Sequence, residues 1–244
     1  MAPDPSPSAT IAPAHPRTLA IDIGGTGLKA MLLASDGTPL GERARVATPR
    51  PATPATVLPA LVELIAPIGA FDRVSVGFPG VVDDGVTRTA PNLDPAWAGF
   101  ELAKVLAEHT GRPVRVLNDA GVQGYGVVDG HGVEMVLTFG TGLGCALFND
   151  GRYVPNLELA HHPFGKRGSY EDYVDDRARK EVGKKLWNKR VRKVIAQVLP
   201  IWNPRILYLG GGNARHIKGA LPENVRITSN VAGLTGGIAL WHDR

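Results

Sequence analysis

A single cysteine, Cys145, stands among 244 residues. One thiol cannot form a disulfide framework or a cysteine-based zinc site, and it fits a reducing cytoplasm. No segment has the roughly 18 consecutive apolar residues of a membrane span. The opening stretch, MAPDPSPSATIAPAHPR, lacks the apolar run of a secretory signal. Rich in Pro, Ala and Ser, it reads as a disordered tail over residues 1–17. A soluble cytoplasmic protein without a membrane partner is expected. The chain is rich in glycine, with 30 residues, and 43% of it is apolar. Glycine on this scale implies tight turns and close backbone approach to a ligand. The apolar content supplies a core for one large domain or two small ones.

The net charge of +4 is modest but uneven. Between Arg177 and Lys193 lie Arg177, Arg179, Lys180, Lys184, Lys185, Lys189, Arg190, Arg192 and Lys193, with Glu181 as the lone acid. The rest of the chain is net acidic. A basic strip on such a chain points to a polyanionic partner, although most charge runs are solvated helix faces. Nucleic acid is a poor candidate, because only Trp187 interleaves with the cations and it falls on the apolar face.

Thr18–Ile23 and Leu28–Leu33 read as strands joined by a glycine hairpin, with a third strand at Gly41–Val46. Helices are expected at Thr56–Ala66 and Phe100–Thr110, and strands at Asp72–Phe78 and Val114–Leu117. The order of strand, glycine turn and strand then returns at Glu134–Phe139 and Cys145–Phe148. IDIGGTGLKAML and LTFGTGLGCALF share G-T-G-L, so two related halves facing each other across a cleft are expected. Chance likeness of short glycine segments is the plain alternative. In the basic strip, Val174, Ala178, Val182 and Leu186 form one apolar stripe. Trp187, Val191, Val194, Ile195 and Val198 form another that does not align with it. A break near Gly183 is expected. Ile206–Leu209 and Val225–Ile227 read as strands, and Gly233–Trp241 as a closing helix with glycines on its packed face.

Four motifs carry chemistry. In Asp22-Ile23-Gly24-Gly25-Thr26-Gly27-Leu28-Lys29 the glycines expose N–H groups that can cradle phosphate, and Asp22 can hold a hydrated Mg²⁺. The same backbone argument applies to Gly140-Thr141-Gly142. Each is an ordinary hairpin if taken alone; as a pair they can grip adjacent phosphates. Gly210-Gly211-Gly212 ends a strand and lets a flat ring or a phosphate lie against the chain. Asn118-Asp119 also ends a strand, where open α/β sheets place ligands. Asp119 there is either a helix cap or a carboxylate that orients and deprotonates a hydroxyl.

The ordered set DIGGTGLKA, GFPGVVD, LNDA, TFGTGLG, ELAHH, LGGG and TGGIAL, spanning Thr18 to Trp241, resembles the repressor, open-reading-frame and kinase (ROK) family of sugar kinases. The resemblance implies an α/β, two-domain actin-like ATPase (ribonuclease H-like) fold with an interdomain cleft. A small domain at 18–120, completed by a returning helix at about 233–244, would face a larger one at 121–232. It implies Asp119 as general base and Asn92, Asn118, Glu158, His161 and Glu171 as sugar-binding residues. It assigns Asp22, Gly24, Gly25, Thr26, Gly27, Lys29, Gly140, Thr141, Gly142, Gly211 and Gly212 to the phosphate donor, Mg²⁺ as cofactor, and a homodimer.

Many members of the family carry three cysteines around the Gly-x-x-Gly that precedes Glu171, in GKRGSYE, and bind a structural zinc with the nearby histidine. Here those positions are His162, Phe164 and Ser169, so no zinc is expected. RKEVGKKLWNKRVRKVI resembles the polyphosphate glucokinase subgroup. That resemblance implies glucose as acceptor and polyphosphate, with ATP as a possible further donor. Lys180, Lys184, Lys185, Lys189, Arg190, Arg192 and Lys193 would be the polyphosphate track, with salt-sensitive binding. An ATP-dependent glucokinase or glucomannokinase is the alternative. A sugar-responsive regulator of the family is less favoured, because such proteins carry an N-terminal DNA-binding segment and this fold is expected to begin by Thr18.

Overall fold

Apolar runs that stop at glycine build two sheets of the same design. The computed structural model describes residues 15–166, 168–228 and 232–242. Most of the expected tail and the last two residues of the closing helix lie outside that set. The first sheet contains β1 (Thr18–Ile23), β2 (Leu28–Leu33), β3 (Ala44–Val46) and β4 (Arg73–Phe78). A small hairpin, β5 (Val82–Asp83) and β6 (Val86–Thr87), precedes its last strand, β7 (Val114–Asn118). The order is β3-β2-β1-β4-β7. β3 is shorter than the expected Gly41–Val46, because residues 41–43 stand exposed after a lone bridge between Leu33 and Pro39.

Helix α1 (Pro54–Ile65) starts two residues before the expected Thr56, since Thr53 caps it and Pro54 takes its first position. Proline suits that position because the N–H it lacks would have no partner there. Val57, Leu61 and Ile65 carry the buried stripe. Helix α2 (Leu102–Thr110) ends at Gly111, whose φ of 62° is the left-handed cap that glycine adopts without strain. Helix α3 (Asp119–Tyr125) follows β7 without a loop and spans the expected division after residue 120.

The second sheet contains β8 (Val133–Phe139), β9 (Leu143–Asn149), β10 (Arg152–Val154), β11 (Ile206–Gly210) and β12 (Val225–Ile227). Its order, β10-β9-β8-β11-β12, and its parallel and antiparallel pairings repeat those of the first. Short helix α4 (Tyr170–Val174) leads into α5 (Asp176–Trp202). At Gly183 the backbone leaves helical geometry (φ 73°, ψ 163°), so α5 is two segments. Trp187, Val191, Val194, Ile195 and Val198 are buried beyond the break, as the sequence pattern predicts. The earlier stripe holds only through Val182. The kink carries Leu186 out to 46% exposure, and Val174 belongs to α4.

The chain end returns to the first sheet as α6 (Ala232–Thr235) and a 3-10 segment, Gly236–Trp241, rather than one regular helix. A Cβ on Gly236 would fall 1.9 Å from the Val122 carbonyl of α3. The Ser75 hydroxyl donates to the Gly237 carbonyl (2.7 Å) and accepts from the Trp241 indole (2.8 Å). Trp241 is flanked by the guanidiniums of Arg73 and Arg115, 5.2 and 4.6 Å from its ring.

Candidate active site

The carboxyl ends of β1, β4, β7, β8 and β11 converge on a cleft of about 270 Å³ between the two hairpins. Every residue expected to bind the sugar or the phosphate donor's reacting end lines it: Asp22, Gly24, Gly25, Thr26, Gly27, Lys29, Asn92, Asn118, Asp119, Gly140, Thr141, Gly142, Glu158, His161, Glu171, Gly211 and Gly212.

Asn118 is the cap of α3. Its Oδ1 accepts from the N–H groups of Ala120 (2.9 Å) and Gly121 (3.3 Å), and its Nδ2 donates to the Gly80 carbonyl (3.1 Å). Much of its hydrogen-bonding capacity is therefore committed to the scaffold. Asp119 is thereby relieved of the capping role and becomes the first residue of the helix. Burial pushes its pKa up to about 7, and the nearby Asp22 and Glu158 carboxylates add to the rise. The Ala120 N–H and Lys29 act in the opposite direction. A carboxylate poised near neutrality can take a proton from a hydroxyl. Asp22 itself is paired with Lys29 across the hairpin at 2.6 Å.

The glycines differ in what they leave open. A Cβ on Gly25 would stand 3.0 Å from the Asn92 carbonyl and 3.6 Å from the Thr141 methyl, so the two hairpins nearly touch there. One on Gly142 would fall 2.0 Å from Glu171 Oε2, which accepts from the Leu143 N–H at 2.8 Å. The Glu171 carboxylate therefore fills the space where a Gly142 side chain would stand, so glycine is required there. Gly211 (φ 81°) is required by its approach to the Phe139 backbone. Gly140, Gly212 and Gly233 have nothing within 4 Å of the missing Cβ and leave open approaches to the cleft.

On the other wall, His161 Nε2 lies 3.6 Å from Glu158 Oε2. Burial raises the Glu158 pKa, His161 opposes the rise and Glu171 adds to it. At the positions where the family resemblance would put zinc ligands, the Phe164 ring packs on Tyr170 and Tyr173 (centroids 4.5 and 4.9 Å). Ser169 forms a capping box with Asp172, and the His162 carbonyl accepts from the Tyr170 N–H. Those side chains do not fit a zinc centre. Among the described residues no three metal-capable side chains cluster. Mg²⁺ normally takes one or two carboxylates plus substrate phosphates and water, so Asp22 fits it as a single carboxylate.

A second groove joins the cleft to the basic helix. Thr26 and Thr141, which line the cleft, also line this groove together with Asp176, Arg177, Lys180 and Glu181. Lys184, Lys185, Lys189 and Lys193 stand exposed beyond the kink. Arg190 and Arg192 are less free than the sequence pattern implies. Arg190 lies 5.1 Å over the Tyr173 ring, and Arg192 donates to the Lys218 carbonyl at 2.6 Å.

Sequence reasoning missed Gln123, a buried cleft residue one helical turn after Asp119. The spacing of four from Asp119 would have found it. It also missed Thr48 and Arg50, which donate to the Gly24 and Gly25 carbonyls and brace the first hairpin. No local signal marks them.

Comparison with known proteins agrees with this geometry. The profile of the ROK family matches residues 18–155. A polyphosphate glucokinase of Mycobacterium leprae (strain TN) is 32% identical over 248 residues, covering 95% of this chain and 76% of that protein. The inorganic polyphosphate/ATP-glucomannokinase of Arthrobacter sp. strain KM is 33% identical with a TM-score of 0.84, covering 93% of this chain and all (100%) of that one. A ROK family glucokinase from Streptomyces griseus, solved with glucose and AMPPNP, shares the fold at 21% identity and a TM-score of 0.77, covering 92% and 98% of the two chains.

Proposed function

The chain belongs to the ROK family, and from that premise we propose that it is a glucokinase that transfers the terminal phosphoryl group of inorganic polyphosphate, and also of ATP, to the 6-hydroxyl of glucose. Its fold is that of the two-domain actin-like ATPases. The observation that carries the proposal is Asp119, raised to about 7 in a cleft shared by polar sugar-facing groups and both glycine hairpins.

Asp119 orients the 6-hydroxyl and accepts its proton as the oxygen attacks the terminal phosphorus. The new O–P bond forms as the bond to the rest of the donor breaks, and the leaving phosphate chain takes the electron pair. Asn92, Glu158, His161 and Glu171 present mixed donors and acceptors, which sugar hydroxyls require. The empty space beside Gly140 and Gly212 receives the donor. Mg²⁺ bound with the donor would supply charge neutralisation, with Asp22 as the carboxylate that meets it through water. The two sheets closing on each other would exclude water. Arg177 and Lys180 in the adjoining groove, with the exposed lysines beyond Gly183, form the track for the donor's remaining phosphates.

A coupled assay for glucose 6-phosphate with Mg²⁺, run with long-chain polyphosphate and with ATP, tests this reading. Turnover with polyphosphate is expected. Turnover with ATP alone would reduce the track to a solvated surface. The open position at Gly212 supports that second reading, an ATP-dependent glucokinase or glucomannokinase, because it leaves room for a flat ring. Silence with both donors would favour a sugar-binding regulator. A cytoplasmic location and a homodimeric state belong to the same proposal, and sedimentation tests the second. Among the described residues no helix is long and apolar enough to cross a membrane.

A further inference from the structure

The cations of α5 are one wall of the groove that leaves the cleft. We infer that Arg45, on the edge strand of the first sheet, is a second cationic wall, and that it grips the phosphates behind the terminal one as a polyanionic donor passes the first glycine hairpin. The inference rests on the kinase reading for its donor class, and it adds a residue that neither the basic strip nor the glycine motifs contain.

The argument begins with register. Arg45 of β3 is directly opposite Lys29 of β2, and Lys29 is directly opposite Asp22 of β1. Residues directly opposite in a sheet share a face, so the three side chains form one row across it. Lys29 Nζ is bound to Asp22 at 2.6 Å, which uses the row's only acid. Among the described residues Arg45 makes no ion pair and donates no hydrogen bond. Two cations directly opposite each other destabilise a strand pair unless an anion offsets them.

The guanidinium has a defined position. A Cβ on Gly27 would lie 3.1 Å from both Nε and Nη2 of Arg45, so the group rests against the glycine that lines the cleft. A bracing role for this hairpin is already filled by Arg50, which donates to the Gly25 carbonyl at 2.6 Å. The neighbour of Gly27, Thr26, faces the groove that holds Arg177 and Lys180. A chain of phosphates leaving the cleft past Thr26 therefore has Arg45 on the hairpin side and the α5 cations on the other. Guanidinium suits this place, since it is always charged, weakly hydrated and able to hold phosphate oxygens in pairs.

The test is binding of long-chain polyphosphate to the full chain over a range of KCl concentrations, without glucose, for the wild type, Arg45→Ala and Arg45→Lys. Arg45→Ala should weaken binding about tenfold, the worth of one charge-assisted hydrogen bond. It should also reduce the slope of log affinity against log salt by about one. Arg45→Lys should retain the slope and lose part of the affinity, an outcome that a purely structural role would not produce. Matching thermal melts confirm that the exposed substitutions leave the fold intact. Unchanged affinity and slope in Arg45→Ala would overturn the inference, as would a wild type that binds no polyphosphate. Polyphosphate binding that depends on Arg45 in a protein unable to phosphorylate glucose would sustain the inference while removing the kinase reading.

Discussion

The two glycine hairpins share strand order and the letters G-T-G-L but divide the work. The first closes over four residues, 24–27, with Asp22 opposite Lys29 and Arg45 beside them. The second closes over three, 140–142, with the uncharged pair Thr138 and Gly144 at the corresponding place. Carboxylate Glu171 covers the second hairpin at Gly142, while its Gly140 stays open. A repeated scaffold has thus kept its backbone geometry and distributed its charges differently: Asp22, Lys29 and Arg45 on one lip, the Glu171 carboxylate over the other. Asp119 lies between the two. The Asp22 charge raises its pKa from one side, and on the other the next residue, Ala120, packs 3.0 Å from where a Gly144 Cβ would stand.

The largest effect should come from removing that middle group. Asp119→Asn should lower kcat by about 10²–10⁴-fold, the usual worth of a positioned general base, while glucose binding measured by titration is largely kept. Unchanged turnover would refute the assignment. The wild type should lose kcat/KM as pH falls below about 7, because the base must be ionised. The stability sign is opposite. A carboxyl whose pKa is raised from 3.8 to about 7 on folding favours the native state at low pH, and that contribution is lost as pH rises through 7. Asp119→Asn should therefore melt higher than the wild type at pH 8, with the gap narrowing towards pH 4. A gap that does not depend on pH would mean that the Asp119 carboxyl is not buried as described.

The second comparison is within the second hairpin. Gly142→Ala must push Glu171 off the Leu143 N–H, since the new methyl would sit 2.0 Å from its Oε2. A cost of about 1–3 kcal/mol in stability is expected from such crowding, together with a raised KM for glucose. Gly140→Ala meets nothing within 4 Å. It should leave the melting temperature near that of the wild type and raise the KM for the donor alone. Equal behaviour of the two variants would erase the distinction between a covered and an open glycine.

The parts of this arrangement legible in the sequence were those with a local physical signal. β1, β4 and β8 are apolar runs halted by glycine or proline, and both faces are buried. The break at Gly183 was readable because two apolar stripes could not share one straight helix. Helix α3 was not recognised, although Asp119 was. Its sequence, DAGVQGY, has two glycines that lower helix propensity, and they are there for packing. A Cβ on Gly124 would fall 2.3 Å from the Phe148 ring. The Glu171 cover on Gly142 and the Arg45 guanidinium on Gly27 join residues far apart in the chain. No periodicity encodes such contacts, so only the folded geometry separates the open glycines from the filled ones.

On the charged side, replacing Lys184, Lys185 and Lys189 together by Ala should raise the KM for long polyphosphate about tenfold and more than that for ATP, measured at fixed ionic strength. Equal changes for both donors would remove these lysines from the track.

The smallest effect concerns the joint where the track meets the second hairpin. Asp176 accepts from Arg179 (2.7 Å) and Asn213 (3.2 Å) and pairs with Lys180 (2.6 Å), and its N–H donates to the Gly140 carbonyl (3.1 Å). Hydrogen bonding from Lys180, reinforced by Arg179 and Asn213, holds its pKa down at about 2. A depressed carboxylate stabilises the fold above its unfolded value of 3.8, and that contribution disappears as pH falls to about 2. Asp176→Asn should therefore cost about 1 kcal/mol or less at pH 7, since the pair is partly exposed, and progressively less as pH falls through about 2. The same substitution frees Lys180 for phosphate. If Asp176 only holds the joint, the variant's affinity for polyphosphate should fall or stay level. A rise would show that the acid restrains the first cation of the track, making the joint between the two lips a point where stability and donor binding oppose each other.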